Sequence, residues 1–159
     1  MTKKSAGLLP YRLAGGALEV LLIHPGGPFW AKKDIGAWSM AKGEYDDAED
    51  PFAAALREFA EETGAAPPTA AHFIALPPLR QPSGKVIRAW AVEMDWDPAQ
   101  LVSNTFELEI PKGSGRVRRY PEADRAAWFG IEEALRRIIP GQRGFIEALL
   151  QALAQGQAD

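Results

Sequence analysis

Apolar residues in this chain fall in short runs, none longer than a strand or a modest helix. Runs at residues 8–13 and 18–23, separated by Ala14-Gly15-Gly16-Ala17, predict a β-hairpin. His24-Pro25-Gly26-Gly27-Pro28 is a loop, followed by Phe29-Trp30 and the charged Lys32-Lys33-Asp34. Residues 37–40 predict a short strand that ends in Lys42-Gly43. The clearest helix spans 51–63, with Asp50 as N-cap, Pro51 at the first helical position and Gly64 just past the end. Residues 73–76 and 86–92 read as strands, the second preceded by the turn Gln81-Pro82-Ser83-Gly84. Strands at 105–110 and 126–129 follow, then a helix over 131–138 that stops at Pro140. A final helix over 142–153 lines one face with Phe145, Leu149 and either Leu153 or Leu150. Strands and helices interleave, which predicts a layered α/β domain.

Composition narrows the classes. With 47% hydrophobic and 25% charged residues over 159 positions, the chain reads as one globular domain, residues 1–159. Cysteine is absent, which excludes thiol nucleophiles, disulfide frameworks and zinc–cysteine sites. No apolar run approaches the ~20 residues of a membrane span. Met1-Thr2-Lys3-Lys4-Ser5 is basic but lacks the apolar core of a secretory signal, so a cytoplasmic location is expected. A formal charge of −3 argues against broad nucleic-acid binding.

The helix at 51–63 violates its own local preferences. Phe52, Leu56 and Phe59 recur at core spacing, while Glu58, Glu61 and Glu62 converge on another flank. Like charges at that spacing repel by about 0.2–0.5 kcal/mol per pair. They also crowd the C-terminal half, where the helix dipole disfavours anions. Arg57 offers the nearby relief, at i, i+4 from Glu61. Glutamate clusters on helices are most often solvated faces. Two preferences broken together call for a compensating partner, and a hard divalent cation such as Mg²⁺ or Mn²⁺ suits carboxylate oxygens.

The surrounding spacing decides between those readings. Gly43, five residues, Glu49, seven residues, then Arg57-Glu58-Phe59-Ala60-Glu61-Glu62-Thr63-Gly64 reproduces the Nudix box. Its fixed positions Gly43, Glu49, Arg57, Glu58, Glu61, Glu62 and Gly64 all match. Ala65 stands where a large apolar residue is usual, and Ala41 where many relatives have proline. The chain therefore resembles a Nudix hydrolase.

That resemblance implies an α/β/α sandwich with a mixed β-sheet and hydrolysis of a nucleoside diphosphate linked to a group X. It implies Mg²⁺ or Mn²⁺ held by Glu58, Glu62 and Glu61, with the Gly43 carbonyl as a backbone ligand. Glu58, Glu61 and Arg57 are the implied catalytic residues, Glu61 as ligand or as base and Arg57 as the group that orients the carboxylates. Glu49 braces the loop against the helix. Glu122, six residues before Trp128, resembles a metal-site glutamate of diadenosine polyphosphate hydrolases; Glu107 and Glu109 are its rivals. Lys42 is a candidate phosphate contact, and Tyr45 and Trp30 (with Phe29) are candidates to stack on a base. Further basic side chains, Lys32, Lys33, Arg80, Lys85, Arg88, Arg116, Arg118 and Arg119, are mostly solvated, with some available to a polyphosphate. His24, His72, Trp38, Trp90, Trp96 and Trp128 read as structural.

The expected substrate is a dinucleoside polyphosphate or a nucleoside triphosphate. No membrane association and no stable nucleic-acid partner are expected, and a homodimer is common among such relatives. The competing reading is a non-catalytic nucleotide sensor on the same fold, which an intact box disfavours. A diphosphate isomerase on this fold calls for a cysteine that is absent here.

Overall fold

A computed structural model describes residues 3–68 and 71–156; Met1 and Thr2 of the basic N-terminal stretch lie outside the described residues. β1 (Lys4–Ala14) and β2 (Ala17–Pro25) form the predicted hairpin. Gly15 and Gly16 turn it at φ 59° and 82°, the positive values a tight hairpin needs. β3 (Ala41–Glu44), α1 (Pro51–Thr63), β4 (Phe73–Arg80) and β5 (Val86–Glu93) come next. They are followed by β6 (Thr105–Glu109), β7 (Val117–Pro121), β8 (Ala123–Gly130), α2 (Ile131–Arg137) and α3 (Arg143–Ala154).

The main sheet runs β4-β5-β1-β2-β8, with β3 against β1. β1 is parallel to β5 along one edge. Its other edge is divided: Ser5 to Leu8 pair antiparallel with β3, and Tyr11 to Ala14 with β2. The sheet is therefore mixed. Period-two alternation gives it two apolar faces. Leu9, Tyr11, Val20 and Leu22 join Ala134, Ile138, Phe145, Ile146 and Leu149 in one core. Ala6, Leu8, Leu21 and Ile23 join Ala54, Ala55 and Phe59 of α1 in the other. Helices on both faces of a mixed sheet complete the expected α/β/α sandwich.

The boundaries differ from the sequence expectation where side chains replace ladder bonds. Residues 37–40 make only isolated bridges, Ile23 with Ser39 and Trp38 with Ile138, and the strand starts at Ala41. The Gln142 carboxamide takes over there, accepting from the Met40 N–H at 3.1 Å and donating to the Ser39 hydroxyl at 3.0 Å. β4 continues past Pro77-Pro78 to Arg80 because the register shifts between Leu76 and Leu79. β7 falls where the pattern predicts no strand: an exposed two-stranded ribbon needs no apolar alternation, and residues 117–121 carry none. On α3, Leu149 is fully buried, Leu153 packs on the same core, and Leu150 is 37% exposed, which resolves the choice of face.

Candidate active site

Helix α1 is held at both ends by its own sequence. The Asp50 carboxylate accepts from the Ala53 N–H at 3.0 Å, and Pro51 occupies the first turn. Gly64 adopts φ 77° and donates to the Ala60 carbonyl at 2.8 Å. A Cβ there would also meet the Val102 carbonyl at 2.7 Å, so glycine is needed twice over. Phe59 is fully buried, worth about 1.5–3 kcal/mol, and Phe52 sits edge-on to Phe73 and Trp90. These anchors fix the rotation of the helix, and with it the direction of Glu58, Glu61 and Glu62.

The end of α1 is tied to the rest of the site by backbone bonds. Val102 and Asn104 donate to the otherwise unpaired carbonyls of Thr63 and Glu61, each at 2.9 Å. Glu122 donates to the Asn104 carbonyl at 2.7 Å and accepts from Gly26 at 2.9 Å. Glu122 is thereby delivered to the helix from a strand end far along the chain.

Lys42, Gly43, Glu58, Glu61, Glu62 and Glu122 line one cleft of ≈ 420 Å³. The Glu58 carboxylate lies so close to Gly43 that a Cβ would stand 2.1 Å from it. Arg57 is the hub. Its Nε and Nη2 donate to the two Glu49 oxygens at 2.7 and 2.9 Å, while Nη1 donates to Glu61 at 2.8 Å and Glu58 at 3.1 Å. The hydrogen bond from Arg57 holds the Glu49 carboxyl below its ordinary range.

Inside the cleft the balance reverses. Burial, then the charges of Glu122 and Glu58, push the Glu62 carboxyl up to about 8. Burial also raises Glu58, against the pull of Arg57. Burial lowers Lys42, and the charge of Lys85 adds to it.

The donor set fits a hard divalent cation: carboxylate oxygens, a neighbouring backbone carbonyl, and an acidic excess that a cation would offset. Among the described residues, no three His, Asp or Glu side chains are drawn close enough for a closed coordination sphere. The carboxylates line the cleft instead, with Glu58 and Glu61 leaning on Arg57.

The other expected residues lie elsewhere. Tyr45 packs against the core beneath α1, and Trp30 lies under the Lys33 ammonium, 5.2 Å from ring centroid to Nζ; neither lines the cleft. Glu107 pairs with Arg119 on the exposed ribbon, and Glu109 accepts from Gly113 and Gly115 at its turn. Glu122, not these rivals, reaches the cleft. His24 is fully buried, with Nδ1 2.8 Å from Asp124 and Nε2 2.6 Å from the Lys33 carbonyl. Sequence reasoning passed over Ser5, Glu44, Asn104 and Thr105, which also line the cleft. Lys85, named only among solvated basic residues, lines it too and pairs with Glu44 at 3.3 Å. No sequence signal marked Ser5; only the register of β1 against β3 brings it there.

Residues 1–149 match the family model of the NUDIX domain, and the chain belongs to that family. That family, together with relatives named RNA pyrophosphohydrolases, makes this a Nudix pyrophosphohydrolase. It is 28% identical to an RNA pyrophosphohydrolase of Roseobacter denitrificans, over 96% of this chain and 97% of that one. An RNA pyrophosphohydrolase of Cereibacter sphaeroides is 29% identical, over 91% of each. Among solved structures, a C. elegans Ap4A hydrolase binary complex shares the fold at TM-score 0.64 and 22% identity, covering 97% and 99% of the two chains. The NUDIX domain of Shewanella oneidensis NrtR with ADP ribose does so at TM-score 0.64 and 17% identity, covering 96% and 89%. Among the described residues, no helix is long and apolar enough to cross a membrane.

Proposed function

We propose that this protein hydrolyses the pyrophosphate linkage at the triphosphorylated 5′ end of RNA, with residues 1–159 acting as one catalytic domain. The observation that carries the chemistry is one cleft lined both by Glu58, Glu61, Glu62 and Glu122 and by Lys42 and Lys85. A phosphate chain meets both: cations to grip it, and carboxylates to hold the ion it needs. The names of the relatives favour the RNA end over a dinucleoside polyphosphate. A formal charge of −3 is compatible with that, because an end-acting hydrolase grips terminal phosphates and not a long backbone.

In this reading Glu58 and Glu62 hold Mg²⁺ or Mn²⁺, joined by Glu61, Glu122 and the Gly43 carbonyl. The bound ion neutralises phosphate charge and acidifies water. Arg57 keeps Glu58 and Glu61 aimed into the cleft, so their orientation is set before substrate arrives. Glu61 accepts the proton of the attacking water. Lys42 binds a phosphate oxygen and stabilises the charge that accumulates as the anhydride bond breaks.

The test is a panel of 5′-triphosphorylated RNA, nucleoside triphosphates and diadenosine polyphosphates, each with Mg²⁺, Mn²⁺ or excess chelator, with products resolved by chromatography. Chelator-sensitive release of pyrophosphate from RNA is expected. Turnover confined to diadenosine polyphosphates overturns the RNA assignment. Turnover of nothing, with nucleotides still raising Tm, replaces it with the sensor.

A further inference from the structure

The buried polar atom left without a hydrogen-bond partner among the described residues is the Ser5 hydroxyl. Ser5 is fully buried in the middle of the sheet and lines the cleft. An unmet buried hydroxyl is destabilising, and a partner arriving from the cleft would recover the loss.

Strand register shows where that partner would sit. Residues directly opposite one another in a sheet share a face. Ser5 is opposite Glu44 on β3 and Ile87 on β5, while Gly7 is opposite Lys42 and Ala89. Alternation along β3 therefore puts Lys42 and Glu44 on the side of Ser5, and Lys85, two residues before Ile87, pairs with Glu44 there. Gly43, with Glu58 against it, is on the other. The cleft wraps around β3: acidic on the α1 side, and on the opposite side lined by the unmet hydroxyl, Lys42, Lys85 and Glu44, the last paired with Lys85 at 3.3 Å.

We propose that Ser5, Lys42 and Lys85 form a phosphate subsite in which the Ser5 hydroxyl donates to a non-bridging oxygen of a phosphate that does not react. Two ammonium groups against the one carboxylate of Glu44 leave a net positive charge, which together with a hydroxyl donor complements a phosphate oxyanion. A sugar or base has no comparable charge for Lys42 and Lys85 to meet. The subsite would fix the far end of the phosphate chain and thereby set which anhydride bond lies over the carboxylates. Ser5 is a binding and positioning residue, not a proton carrier. The inference deepens the proposed hydrolase function but does not require RNA to be the substrate.

Methylenediphosphonate, which has no hydrolysable bridge, is the probe. Its binding to the full chain in Mg²⁺ buffer is measured by calorimetry for wild type, Ser5→Ala, Lys85→Met and the double variant. Ser5→Ala is expected to weaken binding about tenfold, the loss of one charge-assisted hydrogen bond. Its Tm should be unchanged or higher, because the orphaned hydroxyl is gone. The double variant should lose less than the product of the two single losses, since both groups hold the same phosphate. With whichever substrate the enzyme turns over, Ser5→Ala should raise KM more than it lowers kcat. Wild-type binding retained by Ser5→Ala overturns the subsite, and so does a binding loss that merely follows a lower Tm. Because the probe contains no RNA, failure of the RNA assignment leaves this test intact.

Discussion

Replacing Glu62 with glutamine should move stability and activity in opposite directions. In the metal-free protein the Glu62 carboxyl is raised from 4.5 to about 8, by burial first and then by Glu122 and Glu58. A raised carboxyl means the folded state binds more protons than the unfolded state between those two values. Stability contributed by this group is therefore present at low pH, is lost as pH climbs from about 4.5 to about 8, and levels off above. At ~1.4 kcal/mol per pKa unit the upper bound is roughly 5 kcal/mol, and solvent in the open cleft reduces it to about 2–3.

Glutamine resembles the protonated acid and carries no such cost. In chelator at pH 8, Glu62→Gln should melt about 5–10 °C above wild type, since 1 kcal/mol moves Tm by about 2–4 °C at this size. At pH 5 the two curves should nearly coincide. Adding Mg²⁺ should raise the wild-type Tm and leave the variant nearly unmoved, and metal-dependent turnover should fall more than about a hundredfold. Differential scanning fluorimetry across pH, with and without chelator, reads all of this. A variant less stable than wild type at pH 8 in chelator, or one that keeps the Mg²⁺ shift, would refute the reasoning.

Arg57→Lys cannot reproduce the fork that spans Glu49 and Glu61, so Mg²⁺ affinity by calorimetry should weaken about 10–100-fold with little change in Tm. Gly43→Ala places a methyl against the Glu58 carboxylate; kcat should drop by a similar factor while circular dichroism stays native, and an unimpaired kcat would show that Glu58 can turn aside at no cost. His24→Ala removes a buried ring that bonds Asp124 and the Lys33 carbonyl. Chemical denaturation should report a loss of about 2–4 kcal/mol, with kcat unchanged at temperatures where the variant is folded.

The sequence exposed the features whose causes are local. Helix α1 was legible end to end because its cap, its proline and its αL glycine are each local signals. Glu58, Glu61 and Glu62 stood out because they contradict the helix they occupy. Glu122 was legible only by analogy with relatives, since the bond that delivers it, to Asn104, joins segments whose spacing follows no local rule. Ser5 was invisible: a small residue in an apolar strand becomes informative only when register shows what lies opposite. Ribbon β6–β7 was half seen, because Arg118 and Arg119 satisfy a ladder without burying a face. Tyr45 and Trp30 were drawn toward the cleft by nearness in sequence, whereas the fold turns one into the core and the other onto Lys33.

The junction of Asn104 and Glu122 also separates what must stay fixed from what is free to change. A backbone bond closes the base of the β6–β7 ribbon, just where Asn104 also secures the end of α1. Between those two residues Thr105 lines the cleft and Phe106 and Pro121 stand against Gly27 and Gly26, and the ribbon extends outward beyond them. Changes in the length or side chains of the outer ribbon, residues 107–120, should leave Glu122 and the glutamates of α1 in place, because the bonds that hold them lie at its base. Chemistry and reach are thus divided at one residue, Asn104. The clasp preserves hydrolysis, and the arm beyond it, rooted at Thr105 on the rim of the cleft, is free to be remodelled for whatever extends past the phosphates.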